Sequence, residues 1–224
     1  MEDGGQAVQL LILIGALSIV PALLFTVTGF TRILIVLGFV RTGLGTPTAP
    51  PNQVLVGIAL FLTLFVMGPT LTTVKDDAIQ PLLENKISVE TAFERGERPM
   101  REFMFRQTRD RDLALFTKMA ELDQPKTRAD IPTRVLIPAF ILSELKTAFQ
   151  IGFMIFLPFL VIDLVVSSTL MSMGMVMLPP VFISLPFKIL LFVLVDGWAL
   201  ITQSLVESFN LWDPIRRSTS PARP

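Results

Sequence analysis

The sequence predicts an all-α protein of the multi-pass membrane type, in which helical hairpins flank a central charged helical insert. Three observations carry this expectation. Hydrophobic residues form 51% of the 224-residue chain and charged residues 17%, with a mean hydropathy of +0.63, which is too apolar for a soluble domain of this length. The apolar residues gather into four long runs. The charge gathers between them: residues 75–134 hold twelve of the nineteen basic and twelve of the nineteen acidic groups.

The first apolar run extends from about Val8 to Val40 and is broken by Pro21 and by Arg32. A bilayer core takes roughly 20 helical residues, so this run is too long for one straight span and too short for two. It reads as one long kinked helix, or as a helix with an irregular entry near Pro21. Nothing basic precedes it, because the chain opens Met1-Glu2-Asp3, so a secretory signal peptide is not expected. The Gly- and Pro-rich stretch from Arg41 to Asn52 is a connector. A second span follows from about Gln53 to Val74, and residues 1–74 are expected to form an N-terminal helical hairpin.

Residues 75–134 form a hydrophilic helical insert. Ser88 is placed to cap a short helix that stops at Gly96, and Pro99 sits where a further helical turn would begin. Asp110 or Asp112 opens another helix, with Leu113, Phe116 and Ala120 at helical spacing. Gln124-Pro125-Lys126 ends the insert, whose charges read mainly as a solvated face. A third apolar run, from Ile131 to Met177, is expected to break at Pro158, and a fourth, from Pro179 to Phe209, at Pro186. They meet at Leu178-Pro179-Pro180, so residues 135–212 read as a broken-helix hairpin, followed by a polar tail at 213–224. Acidic Glu2 and Asp3 and basic Arg216, Arg217 and Arg223 pull the topology of the two termini in opposite directions.

Several function classes are excluded or narrowed. Equal numbers of basic and acidic groups, without a recognisable module, argue against nucleic-acid binding. The absence of Cys removes disulfides and thiol chemistry, and the absence of His removes the usual general base and the commonest metal ligand. No metal or cofactor is expected. Ser143 and Lys146 share a helical face, but no nucleophile elbow or oxyanion motif accompanies them. Asp163 and Asp196 lack the context of a proton-sharing carboxylate pair. Catalysis is therefore not expected.

The informative residues lie in the C-terminal runs. Glu144, Lys146, Asp163, Lys188 and Asp196 interrupt apolar sequence, where a lipid-facing charge costs roughly 2.5–3.5 kcal/mol on the most lenient scale. Such groups face protein or a water-filled path. Glu144 and Lys146 are expected to seek opposite charge across helices, with Lys188 and Asp163 as candidate partners and Glu144 with Lys188 as the pair to test. Pro21, Pro158 and Pro186 are the expected helix breaks, which suit either a conduit or a bent bundle. Met171, Met173, Met175 and Met177 alternate just before the Leu178-Pro179-Pro180 corner. Deformable Met side chains there serve either as a pore closure or as filler between helices.

Phe30-Thr31-Arg32-Ile33, Pro50-Pro51-Asn52-Gln53-Val54-Leu55-Val56-Gly57 and Ala59-Leu60-Phe61-Leu62-Thr63 resemble the FliP family of flagellar biosynthesis proteins. So do Phe103-Met104-Phe105-Arg106-Gln107-Thr108-Arg109, Ser143-Glu144-Leu145-Lys146-Thr147-Ala148-Phe149-Gln150-Ile151-Gly152-Phe153 and Leu157-Pro158-Phe159-Leu160-Val161-Ile162-Asp163. Ile183-Ser184-Leu185-Pro186-Phe187-Lys188 and Asp196-Gly197-Trp198 extend the likeness over nearly the whole chain. The SctR family of virulence secretion shares much of the C-terminal half, but Lys146-Thr147-Ala148-Phe149-Gln150 and Pro51-Asn52-Gln53 resemble the flagellar branch. Many members of the family begin with a cleavable signal sequence, from which this chain departs.

The resemblance implies a core, non-enzymatic subunit of the flagellar type III export gate, multi-pass in the bacterial cytoplasmic membrane at the flagellar basal body. It implies a homo-oligomer of five copies assembling with FliQ and FliR into a helical export-gate complex, beside other export-apparatus membrane proteins and the basal-body ring. Unfolded flagellar proteins would be its cargo and residues 75–134 would be extracytoplasmic. Met171, Met173, Met175 and Met177 match the family's pore gasket, and Glu144 and Lys188 its charges buried between helices or subunits. The alternatives are a virulence export-gate subunit, a small-solute secondary transporter and, last, an intramembrane hydrolase.

Overall fold

The structure, a computed structural model, describes residues 21–122, 127–175 and 177–210. The expected start of the first run, the Gln124-Pro125-Lys126 boundary and the polar tail lie outside them. Among the described residues every regular element is helical. In chain order these are α1 (Pro21–Val27), α2 (Phe30–Leu44), α3 (Asn52–Val74), a π-helical turn (Lys75–Ile79), α4 (Gln80–Leu83), α5 (Val89–Gln107) and α6 (Asp110–Met119). A 3-10 turn (Arg128–Asp130), α7 (Thr133–Ser172), α8 (Pro180–Leu194) and α9 (Gly197–Asn210) follow among the described residues.

The continuous helix Asn52–Leu83 and the 40-residue α7 are each long and apolar enough to cross a membrane, and the pairs α1 with α2 and α8 with α9 qualify as bent spans. This supports the all-α membrane class. The chain divides into two compact units, one of Met1–Thr31 with Thr70–Leu142 and one of Arg32–Pro69 with Ser143–Pro224.

In the first unit, Ser88 caps α5 as expected, its side chain accepting a hydrogen bond from the Thr91 amide at 3.2 Å. The helix does not stop at Gly96. It runs on through Pro99 to Gln107, burying Pro99, Phe103, Met104 and Phe105. Packing overrides the local breakers here: a Cβ on Gly96 would lie 3.5 Å from the Ala78 side chain, so α5 closes on the π-helical turn at this point. Arg101 ties α5 to the start of α7. Its guanidinium donates to the Ile131 carbonyl at 2.6 Å and to the Thr133 hydroxyl, lies 3.9 Å from the Glu97 carboxylate, and stands over the Phe105 ring. The ion pairs of Lys86 with Glu84 and of Arg98 with Glu102 are exposed, fitting the solvated face expected of this insert.

In the second unit, each helix buries one stripe. Ile33, Val36, Leu37, Val40 and Leu44 line α2, Leu55, Ala59, Thr63 and Met67 line α3, and Ile201, Leu205 and Phe209 line α9. These intervals of three, four and seven residues are one helical face. The structure corrects two expected breaks: α7 is continuous through Pro158, and α8 through Pro186. A proline removes one amide hydrogen bond and bends a helix, but unwinding it in apolar surroundings would strand more backbone groups.

The interruption lies instead at Asp196, with φ of 51°, between α8 and α9, which meet at a 65° bend. Gly197 makes that corner possible, since a Cβ there would lie 2.4 Å from the Phe192 ring. Gly197→Ala is accordingly expected to lower the thermal midpoint of the detergent-solubilised protein by several degrees, because the ring that must move is buried. An unchanged midpoint would mean that the corner relaxes freely.

Candidate functional site

Two charged centres sit inside the second unit. The first begins with α2, where Arg32 stands one turn before Val36 and on the same buried face; Arg32 is 1% exposed. A guanidinium is always charged, so burial demands a carboxylate and a full set of acceptors. Glu144 of α7, also 1% exposed, supplies the carboxylate. Arg32 Nε donates to Glu144 Oε2 at 2.9 Å and Nη2 donates to Oε1, a two-pronged match of planar groups. Nη1 donates to the Ser208 carbonyl and hydroxyl oxygens at 3.2 and 3.1 Å, and the guanidinium carbon lies 3.9 Å from the centre of the Phe209 ring. One side chain thus joins α2, α7 and α9.

The second centre joins α7 and α8. Ser184, Lys188 and Phe192 recur every fourth residue on α8, and all three are buried. Lys188 Nζ donates to Asp163 Oδ2 at 2.6 Å, and Ser184 Oγ donates to Oδ1 at 2.6 Å. Lys188 is 3% exposed and Asp163 32%, so within the single chain the pair is closed on the Lys side and open on the carboxylate side. Gly45, at φ 78° after α2, lies against it: a Cβ there would be 3.8 Å from Lys188 Nζ. Among the described residues no buried side-chain nitrogen or oxygen lacks a partner.

The pairing expected from sequence is therefore redistributed. Glu144 binds Arg32, and Lys188 binds Asp163, so Glu144 and Lys188 belong to different centres. Arg32 and Ser184 were not foreseen as partners. A signal existed, since Arg32 is an obligate cation inside an apolar run and has to be neutralised somewhere. Lys146 and Asp196 are exposed within this chain, unlike Glu144, because Lys146 lies off the buried stripe of α7 and Asp196 forms the corner before α9. Ser143 is buried while Lys146 is exposed.

Met171, Met173, Met175 and Met177 all stand on the surface of the chain, from 39% exposed at Met175 to 96% at Met177. They occupy the end of α7 and the turn that follows, with Gly174 at φ 75°. They do not fill a gap within the subunit. Among the described residues no three acidic side chains stand close enough to hold a metal ion.

A model of the FliP family matches residues 13–205. The chain is 59% identical over 208 residues to the flagellar biosynthetic protein FliP of Bacillus subtilis (strain 168), covering 93% of this chain and 94% of that protein. It is 58% identical over 213 residues to the flagellar biosynthetic protein FliP of Pectobacterium carotovorum subsp. carotovorum, covering 93% and 83%. It is 53% identical over 205 residues to the flagellar biosynthetic protein FliP of Caulobacter vibrioides, covering 92% and 77%. With a family match across most of its length and relatives this similar, all carrying one name, the chain belongs to the FliP family.

Proposed function

We propose that this protein is the core pore-forming subunit of the flagellar type III export gate, passing unfolded flagellar proteins across the bacterial cytoplasmic membrane. The observation that carries this reading is the mismatch between a satisfied interior and an unsatisfied surface. The polar groups of the buried centres have partners, yet α7 leaves Phe149, Phe153, Met154, Leu164 and Val165 exposed, and α8 leaves Phe182, Leu190, Val193 and Leu194 exposed. Apolar faces of this extent require lipid or protein cover.

In this reading further copies of the chain, with FliQ and FliR, cover those faces, and residues 75–134 form the extracytoplasmic insert. Asp196, exposed in one chain, finds a partner in the assembly. The Met corner narrows the closed passage, because unbranched side chains conform to an irregular opening. The subunit positions and seals, with no catalytic step of its own.

Coexpression with FliQ and FliR, followed by mass measurement after mild detergent extraction, tests the assembly. A stable multi-copy complex containing all three is the expected result. A monomer indifferent to both partners would instead favour a small-solute transporter.

A further inference from the structure

We infer that Asp163, Ser184 and Lys188 form the clasp that holds the α7–α8 hairpin shut, and that this clasp must release for polypeptide to pass. The inference rests on the gate reading and adds to it a specific intrasubunit latch. The three residues bridge the two limbs of the hairpin whose connecting turn carries the methionines. Asp163 precedes the end of α7 by nine residues, about 14 Å of helix, and Ser184 and Lys188 follow the start of α8 by four and eight, about 6 and 12 Å. The clasp therefore lies a short lever arm below Met173, Met175 and Met177. Separation of α7 from α8 at this level would be felt at the turn.

The chemistry suits a reversible contact. Both carboxylate oxygens of Asp163 are used, one by Lys188 at 2.6 Å and one by Ser184 at 2.6 Å, so the closed hairpin is specified by direction as well as by charge. The Arg32 centre differs: both of its charges are 1% exposed and it draws on three helices, which makes it a fixed joint. Asp163, at 32% exposed in the single chain, is open on one side to groups that could replace its partners. Ser184 has somewhere to turn, because the Val181 carbonyl lies 3.2 Å from its hydroxyl oxygen and can take its one proton when Asp163 moves away. Lys188 is covered by the closed hairpin on one side and by Gly45 on another, so opening the hairpin uncovers the side that faces Asp163.

Two kinds of variant test this in the assembled gate, reconstituted in vesicles. Ser184→Ala removes one hydrogen bond and keeps the ion pair, so resting ion conductance is expected to rise about 2- to 10-fold with complex yield unchanged. The double variant Asp163→Cys with Ser184→Cys puts the only two thiols of the chain at the two facing positions that the 2.6 Å hydrogen bond now joins. Oxidation should lock the limbs together, giving an assembled gate that does not export. Reduction should return export, with a leak above wild type.

An oxidised, cross-linked gate that exports at the wild-type rate would overturn the inference, as would a reduced form and a Ser184→Ala form that leak no more than wild type. Loss of export in the oxidised form that reduction fails to reverse would also count against it. If the wild-type complex in the same vesicles passes no polypeptide, the gate reading itself fails. That outcome is read from the wild-type control alone, before either variant is compared.

Discussion

Arg32→Ala is expected to deplete the folded subunit from the membrane, at a cost of about 3–5 kcal/mol, the usual penalty for leaving a buried carboxylate without its cation. Glu144 would keep a charge at 1% exposure with two hydrogen bonds gone, and Ser208 would lose its donor. Total stabilities of single domains are only about 5–15 kcal/mol, so a loss of this size removes much of the margin. Arg32→Lys should recover only part of it, because an ammonium cannot present a planar fork to the carboxylate.

The double change Arg32→Met with Glu144→Leu is the informative control. An uncharged, well-filled centre carries no desolvation cost, so the double variant should be recovered at higher yield and higher thermal midpoint than Arg32→Ala. Detergent-solubilised yield and a thermal solubility ramp would be measured for all three. If Arg32→Ala matches wild type in both, water reaches the centre in the working protein and the role assigned to Arg32 is wrong.

Met173, Met175 and Met177 replaced together by Ala should leave assembly intact and open the resting membrane to small ions. The three side chains are 67%, 39% and 96% exposed in the single chain, so their loss removes little from the fold of the subunit. What it removes is deformable volume at the end of the α7–α8 hairpin, where the proposed passage narrows. Conductance in vesicles and complex yield on native gels separate the two effects. Normal yield with no added conductance would return the methionines to the role of filler between subunits. Leu at all three positions, similar in volume but stiffer, should leak less than Ala and more than Met.

The sequence made the class of this protein plain and the position of its charges partly so. Long apolar runs and a charged insert are properties of composition, and the helices follow them. Ser88 was readable because an N-cap is a local device, and the cap is where the residue predicts it. Glu144, Lys188 and Asp163 stood out because charge inside apolar sequence is rare, but their pairing was not readable. Partners 112 and 25 residues away are chosen by packing, which leaves no trace in spacing.

Proline misled in the opposite direction. Pro158 and Pro186 leave their helices unbroken, and the break is at Asp196-Gly197, where Asp196 takes a positive φ and the buried Phe192 ring leaves no room for a Cβ on Gly197. In water a proline is the stronger interruption. In an apolar setting the cost of unwinding reverses that order.

The length of α7 carries a consequence for how this protein tolerates change. Forty helical residues reach about 60 Å, whereas the hydrocarbon of a bilayer is about 30 Å thick. On the export-gate reading one uninterrupted helix therefore meets two solvents, fluid lipid over part of its length and fixed protein surface over the rest. Lipid accepts any apolar shape, so exchanges among Leu, Val, Ile and Phe in that stretch should be nearly silent. A protein surface accepts one shape, and there the same exchanges should be punished. Substituting every position of α7 and recording motility would thus yield a banded map, and the edge between its silent and sensitive bands would mark the depth at which the helix leaves the membrane.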